Sequence, residues 1–192
     1  FLAPFPFPLV SLAQTGIKDQ PEENGATFSE NAVIKARFYG EKSSLPTLAD
    51  DGGFEIDALG GEPGVKSHRY VHPDRDSTDE ELIGEVFRRL NGVPLAKRTA
   101  RLSLVLAFSY LGRIETAAAM VAGVIPEKPA EARTPGFPYR SVLYLPEFGK
   151  FYNENELTKE ENDQVNHRKK AVSLIKPKIL RCFDIISLYA GH

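Results

Sequence analysis

Two adjacent carboxylates, Asp50 and Asp51, close a short apolar run that begins at Leu45, and Gly52 and Gly53 follow at once. Asp57, Gly60, Gly61, Pro63 and Gly64 come next. Glycines without side-chain bulk let the backbone approach a ligand closely. Acids delivered by a strand end into a glycine-rich bend suit a magnesium and phosphate site, because magnesium takes few protein oxygens when phosphates supply the rest. An isolated Asp-Asp pair reads more simply as a solvated turn. The flanking Gly-Gly and Pro-Gly steps favour the site. On this reading the strand ends at the acids and a bend begins at Gly52.

Other residues carry chemistry less specifically. Glu22 and Glu23 alone read as a surface acidic pair. Lys35 and Arg37 are local cations, but helical spacing by itself does not aim them at a phosphate. Phe137 fits a core aromatic and a stacking platform equally well. His167 and Arg168 lie in a basic stretch, Asn166 to Lys170, on a helix whose face would ordinarily be solvated. His68 and His72 have the spacing of a metal pair, but Pro73 and a loop-like context favour a structural reading. Cys182 shares an apolar face with Phe183, Ile186 and Tyr189 and reads as a core thiol.

The elements that position these groups must come from 192 residues with a net charge of −2. That length predicts one domain with a sizeable core. The near-neutral balance argues against a basic nucleic-acid footprint, and no run is long and apolar enough for a membrane helix. A single cysteine excludes an internal disulfide and fits a reducing, cytoplasmic setting. The aromatic and proline-rich residues 1–8 lack a basic leader and are expected to pack across a sheet or to be a product of truncation, with a partner-binding arm as the alternative.

Residues 9–12 read as an edge strand. Thr27 and Glu30 have capping-box spacing and open a helix, with Phe28, Ala32, Ala36 and Tyr39 on one face and Gly40 at its end. Residues 54–58 alternate as a strand. Ser77 and Glu80 form a second capping box before Leu82, Val86 and Leu90, and Asn91-Gly92 stops that helix. Residues 98–110 alternate strongly and predict a long strand. A tight turn at Leu111-Gly112 joins it to a partner over residues 113–125. Residues 142–145 form a short strand. Thr158 and Glu161 cap a helix to about Ile175, Pro177 interrupts it, and a last helix runs to Tyr189. The pattern predicts an α/β fold, a mixed β-sheet flanked by helices.

The ordered set Thr27-Phe-x-Glu30-Asn31-Ala32-x-x-Lys35-Ala36, Leu45-Pro-x-Leu-Ala-Asp50-Asp51-x-Gly53, Glu55-Ile-Asp57-Ala-Leu-Gly-Gly-x-Pro63-Gly64-Val and Ser67-x-Arg69-Tyr70 resembles the inosine-triphosphate pyrophosphatase family, the XTP/dITP diphosphatases. Gly136-Phe137-x-Tyr139 and His167-Arg168 follow in the family's order. The likeness covers roughly residues 8–174. It implies an elongated fold with two lobes around an active-site cleft, usually as a homodimer. It also implies magnesium-dependent hydrolysis of purine nucleoside triphosphates bearing a C6 keto group, to the monophosphate and pyrophosphate. By resemblance, Asp51 activates water and contacts magnesium, Glu23 is the metal-binding glutamate, and Asp50 assists the metal. Gly52, Phe137, Tyr139, His167 and Arg168 meet the substrate. An arginine donates to a C6 keto oxygen but meets another donor at adenine's amino group.

The chain departs from the family at several points. The family's opening strand and Thr-x-Asn-x-x-Lys loop have no counterpart before Pro8, so an N-terminally truncated single domain over residues 1–192 is expected. Gly52 replaces a small hydroxyl residue. Pro138 stands where glycine allows close approach, and it fixes a torsion and removes a donor. Arg140 replaces an aspartate, Asn162 a lysine and Asn166 a serine. These changes leave open a catalytically impaired homologue that binds nucleotide or a partner. They equally leave open an enzyme of altered substrate, with Arg140 as a substitute phosphate cation.

Overall fold

The computed structural model describes residues 5–72 and 74–189, with backbone alone for residues 184–189. Five strands form one sheet in the order β1-β2-β3-β4-β5. They are β1 (Thr47–Ile56), β2 (Thr99–Tyr110), β3 (Arg113–Val124), β4 (Tyr144–Leu145) and β5 (Lys150–Phe151). Five α-helices accompany them among the described residues: α1 (Leu12–Thr15), α2 (Phe28–Ser43), α3 (Asp79–Arg89), α4 (Lys159–Val165) and α5 (His167–Tyr189). Two compact units divide the chain. The first comprises residues 1–51, 104–119 and 168–192, and the second residues 52–103 and 120–167.

In the first unit, Leu104, Leu106 and Phe108 of β2 pack with Ala171, Ile175, Ile179 and Cys182 of α5. Phe7 joins them against Phe183, with ring centroids 5.0 Å apart. Ala32 and Ala36 of α2 are buried beside Ala107 in a smaller cluster. Small residues on that face let the helix sit close to the strand. Thr27 caps α2 by accepting from the Glu30 N–H at 3.2 Å, and Glu30 accepts in return from the Thr27 N–H at 3.0 Å. The expected capping box is therefore present, although α2 runs past Gly40 to Ser43.

In the second unit, Phe54 and Ile56 of β1, Leu82 and Val86 of α3, Leu90 at the end of that helix, and Val142, Leu143 and Leu145 form the core. The long alternating run of β2 and its partner β3 are as expected. Leu111 and Gly112 both take positive φ, 46° and 77°, the geometry whose twist matches a two-residue hairpin.

Four expectations are corrected. Residues 9–12 make no strand. The Ser11 N–H donates to the Gln14 side chain at 2.8 Å and starts α1 instead. The second capping box sits one residue later, at Thr78 and Glu81 rather than Ser77 and Glu80. The third concerns β1, which does not end at the acids. Asp50, Asp51, Gly52 and Gly53 lie within it, because Phe54 and Ile56 continue the alternation into a buried core. Finally, the break near the C-terminus falls at Asn166, whose ψ of 98° leaves the helical region, whereas α5 runs on through Pro177. Buried side chains on both sides of Pro177, Ile175 and Ile179 among them, outweigh the one backbone hydrogen bond that proline removes. No helix among the described residues is long and apolar enough to cross a membrane.

Candidate active site

The carboxylate cluster in the first unit is built by β1 and α2. Asn31 and Lys35 are one helical turn apart, so both side chains leave α2 on the same face. Lys35 Nζ donates to Asp51 Oδ1 at 2.7 Å and to Glu23 Oε2 at 2.9 Å. One ammonium thus gathers two acids that are 28 positions apart in sequence, the difference between 51 and 23. Asn31 is buried, and it does two things at once. Its Oδ1 accepts from the Gly25 N–H at 2.8 Å, and its side chain lowers the proton affinity of the Asp51 carboxylate. A Cβ at residue 25 would lie 2.6 Å from that oxygen. Glycine there is what lets the Glu23 loop dock on α2.

Burial is the main influence on Asp51 and lifts its carboxyl above the ordinary range, with Glu23 adding like charge. The hydrogen bond and charge of Lys35 oppose this. Burial likewise works against the Lys35 ammonium, but two acids sharing it outweigh that and raise its pKa. The arrangement holds a carboxylate of heightened basicity, half-buried, next to a fixed positive charge.

Asp50 does not share this point. Successive side chains on a strand face opposite ways, and Asp50 Oδ2 accepts from Arg168 at 2.9 Å. Among the described residues no group of three or more His, Cys, Asp or Glu side chains converges to hold a metal. Glu23 and Asp51 nevertheless converge on a single cation, the Lys35 ammonium. Two carboxylate donors around one positive charge fit magnesium, which is bound by one or two carboxylates plus substrate phosphates.

The second unit carries the aromatic candidates. Phe137 closes a tight turn in which its N–H donates to the Thr134 carbonyl at 2.9 Å. Gly136 takes φ of 78°, and its N–H donates to Asp79 Oδ2 at 2.7 Å. The Phe137 ring stands 46% exposed on this anchored turn, whereas Tyr139 is 6% exposed. Tyr139 stacks on Phe54 with centroids 4.7 Å apart and donates its hydroxyl to the Ser67 carbonyl at 2.7 Å. Tyr139, expected at the substrate, is thus a core residue that supports the turn, and burial pushes its phenol well above the usual range. His167 is buried as well, and its Nδ1 meets the Tyr152 hydroxyl at 3.0 Å. The neighbours His167 and Arg168 therefore serve different surroundings, one a buried aromatic cluster and the other Asp50.

The sequence reading missed Asn31, the aim of Lys35 and the part played by Tyr152. The i, i+4 spacing of Asn31 and Lys35 was the available signal for the first two. Tyr152 had none, because it meets His167 only through tertiary packing.

The model of the Ham1 family matches residues 1–178. The chain belongs to the Ham1 family. A dITP/XTP pyrophosphatase of Geobacillus kaustophilus is 43% identical over 158 residues, covering 81% of this chain and 74% of that protein. The protein of the same name from Yersinia pseudotuberculosis is 38% identical over 179 residues, 91% of this chain and 86% of the relative. Among solved structures, a HAM1 protein from Coxiella burnetii aligns with a TM-score of 0.81 at 29% identity, over 94% of this chain and 89% of that one. The nucleoside-triphosphatase / dITP/XTP pyrophosphatase of Mycobacterium abscessus aligns with a TM-score of 0.71 at 31% identity, over 88% and 86%. The Ham1 relationship bears out both the resemblance read from the motifs and the α/β architecture.

Proposed function

We propose that this Ham1 chain hydrolyses non-standard purine nucleoside triphosphates, of the deoxyinosine, inosine and xanthosine type, to the monophosphate and pyrophosphate. The observation that carries the reading is the convergence of Asp51 and Glu23 on one cationic point, in a chain whose relatives are named dITP/XTP pyrophosphatases. No observation favours a non-catalytic role.

Asp51 is the group that takes a proton from the attacking water. Its raised proton affinity suits it to that task. Asn31 keeps the carboxylate in one orientation, and Lys35 supplies charge against the phosphates. The water oxygen attacks the α-phosphorus as the bond to the bridging oxygen breaks, and pyrophosphate departs. Magnesium held by Glu23 and Asp51 would neutralise phosphate charge there. Asp50 acts through Arg168 rather than on the metal. Gly52 leaves the backbone open to substrate, and Phe137 stacks on the purine. Arg168, on exchange from Asp50, donates to the C6 keto oxygen, and His167, bonded to the Tyr152 hydroxyl, steadies the aromatic cluster. The family resemblance supports a homodimer, and the single cysteine, free and buried, fits a reducing, cytoplasmic setting.

The test is product analysis with deoxyinosine triphosphate and magnesium, beside deoxyadenosine triphosphate. The expected product is pyrophosphate, with strong preference for the keto purine. Release of orthophosphate alone, or equal rates on the two purines, would overturn the proposal.

A further inference from the structure

We infer that Arg140 is a positioning residue for purine binding, which holds the Phe137 ring as a stacking platform open on one face only; this rests on the base-stacking role proposed for Phe137. Three observations carry it. The Arg140 guanidinium carbon lies 4.8 Å from the Phe137 ring centroid and 5.5 Å from that of Tyr152. The Arg140 side chain is only 17% exposed, while Phe137 is 46% exposed. The cation therefore lies on the inner side of the phenyl ring, and the open area is the outer side. The polar partner of Arg140 is Glu154, 3.7 Å away and itself 63% exposed. A contact that long and wet fixes the guanidinium weakly. The two aromatic faces hold it better, since a desolvated cation over a ring is worth more than an exposed pair.

The surroundings have the rigidity a platform needs. The Arg140 N–H donates to the Phe137 carbonyl at 3.1 Å, so the residue beneath the ring and the ring itself belong to one short turn. Pro138 and Tyr139 are buried between them, and Tyr139 is stacked on Phe54. Tyr152, the second aromatic against Arg140, is bonded to His167 Nδ1. A cation sandwiched by Phe137 and Tyr152 thus links the exposed ring to the buried histidine through contacts that all lie in the second unit. An aspartate at position 140 would put a negative charge against the negative face of the ring. Arginine here gives Phe137 a backing, and it is not aimed at phosphate.

The experiment compares the parent with Arg140→Met, Arg140→Lys and Phe137→Ala, and with the Arg140→Met and Phe137→Ala pair combined. Steady-state kinetics with deoxyinosine triphosphate are read beside calorimetric binding of inosine monophosphate. Arg140→Met keeps the stem and removes the charge. It is expected to raise KM and Kd about fivefold while kcat changes less than about twofold, and Arg140→Lys is expected to recover most of the loss. In the Phe137→Ala background, Arg140→Met should add nothing, because the ring it supports is gone. A merely structural arginine would instead lower the melting midpoint, act equally in both backgrounds and leave the split between KM and kcat unmarked. A folded Arg140→Met protein with unchanged KM and Kd, or full additivity with Phe137→Ala, overturns the inference. A parent that binds inosine monophosphate with this Arg140 dependence but releases no pyrophosphate defeats the reaction and leaves the platform. A parent that releases pyrophosphate with KM indifferent to Arg140 does the reverse. If Arg140→Met does not fold, Arg140→Gln, which also removes the charge, decides alone and combined with Phe137→Ala by the same two criteria, a raised KM and its loss without the ring.

Discussion

The two candidate regions are built on opposite physical principles. In the first unit, Glu23, Lys35 and Asp51 are held by charge, and each keeps some access to solvent. In the second, Phe137, Arg140, Tyr152 and His167 are held by ring faces and burial, with only Phe137 standing clear. A site that must take up a proton and receive phosphates needs charge that is held in place and still reachable from solvent. A site that must recognise a flat purine needs a rigid apolar surface that loses little entropy on binding. In the function proposed above, the first region carries the chemistry and the second the recognition.

That division can be broken most directly with a pair of variants. Asp51→Asn removes the proton acceptor and should cut kcat by about 10²–10⁴-fold with little change in KM. Phe137→Ala should do the opposite and raise KM about tenfold while kcat stays within a small factor. If Asp51→Asn acted mainly on KM, or Phe137→Ala mainly on kcat, the division would fail.

Tyr139→Phe sharpens the comparison within the second unit. It keeps the stack on Phe54 but leaves the Ser67 carbonyl without its donor. The expected cost is about 1 kcal/mol, or a melting midpoint lower by about 2–4 °C, with KM for deoxyinosine triphosphate nearly unaffected. A KM change as large as that of Phe137→Ala would return Tyr139 to the base. Such a midpoint shift, read by circular dichroism, would place it in the core.

The smallest effect concerns charge away from both regions. Glu85 on α3 is held down to about 2, chiefly by its hydrogen bond to Arg88 and also by Arg89. A carboxyl whose folded pKa lies below its unfolded value stabilises above the unfolded value and loses that contribution as pH falls through the folded one. The window runs from about 4.5 down to about 2. Glu85→Gln should lower the melting midpoint at pH 7 by only about 2 °C, and the gap from the parent should close as the pH falls from 5 towards 2. A gap that widened towards acid would show that Arg88 and Arg89 do not stabilise the fold through Glu85.

Much of the scaffold was legible because local rules and tertiary packing agree. Thr27 with Glu30, and Thr158 with Glu161, announced helix starts that the structure keeps. The alternation of β2 and the Leu111-Gly112 turn announced the hairpin. The sequence misled where two local rules compete. Gly52 and Gly53 signal a bend, yet Phe54 and Ile56 carry the strand through because a core awaits them. Pro177 signals a break, yet buried neighbours on either side of it hold α5 together.

The candidate site divides along the same line. Ordered motifs read along the chain determined the family, and through that resemblance they pointed to Glu23, Asp51, Phe137 and the basic pair at α5 as site candidates. Only the tertiary structure decided that Lys35 rather than Asp50 meets Asp51 and Glu23. It also decided that Tyr139 is core and that Arg140 backs Phe137. The reason is geometric: a strand sends Asp50 and Asp51 to opposite faces, and a short helical turn sends Phe137 outward and Tyr139 inward. Which face meets which partner depends on what packs there, and that partner lies far away in the chain.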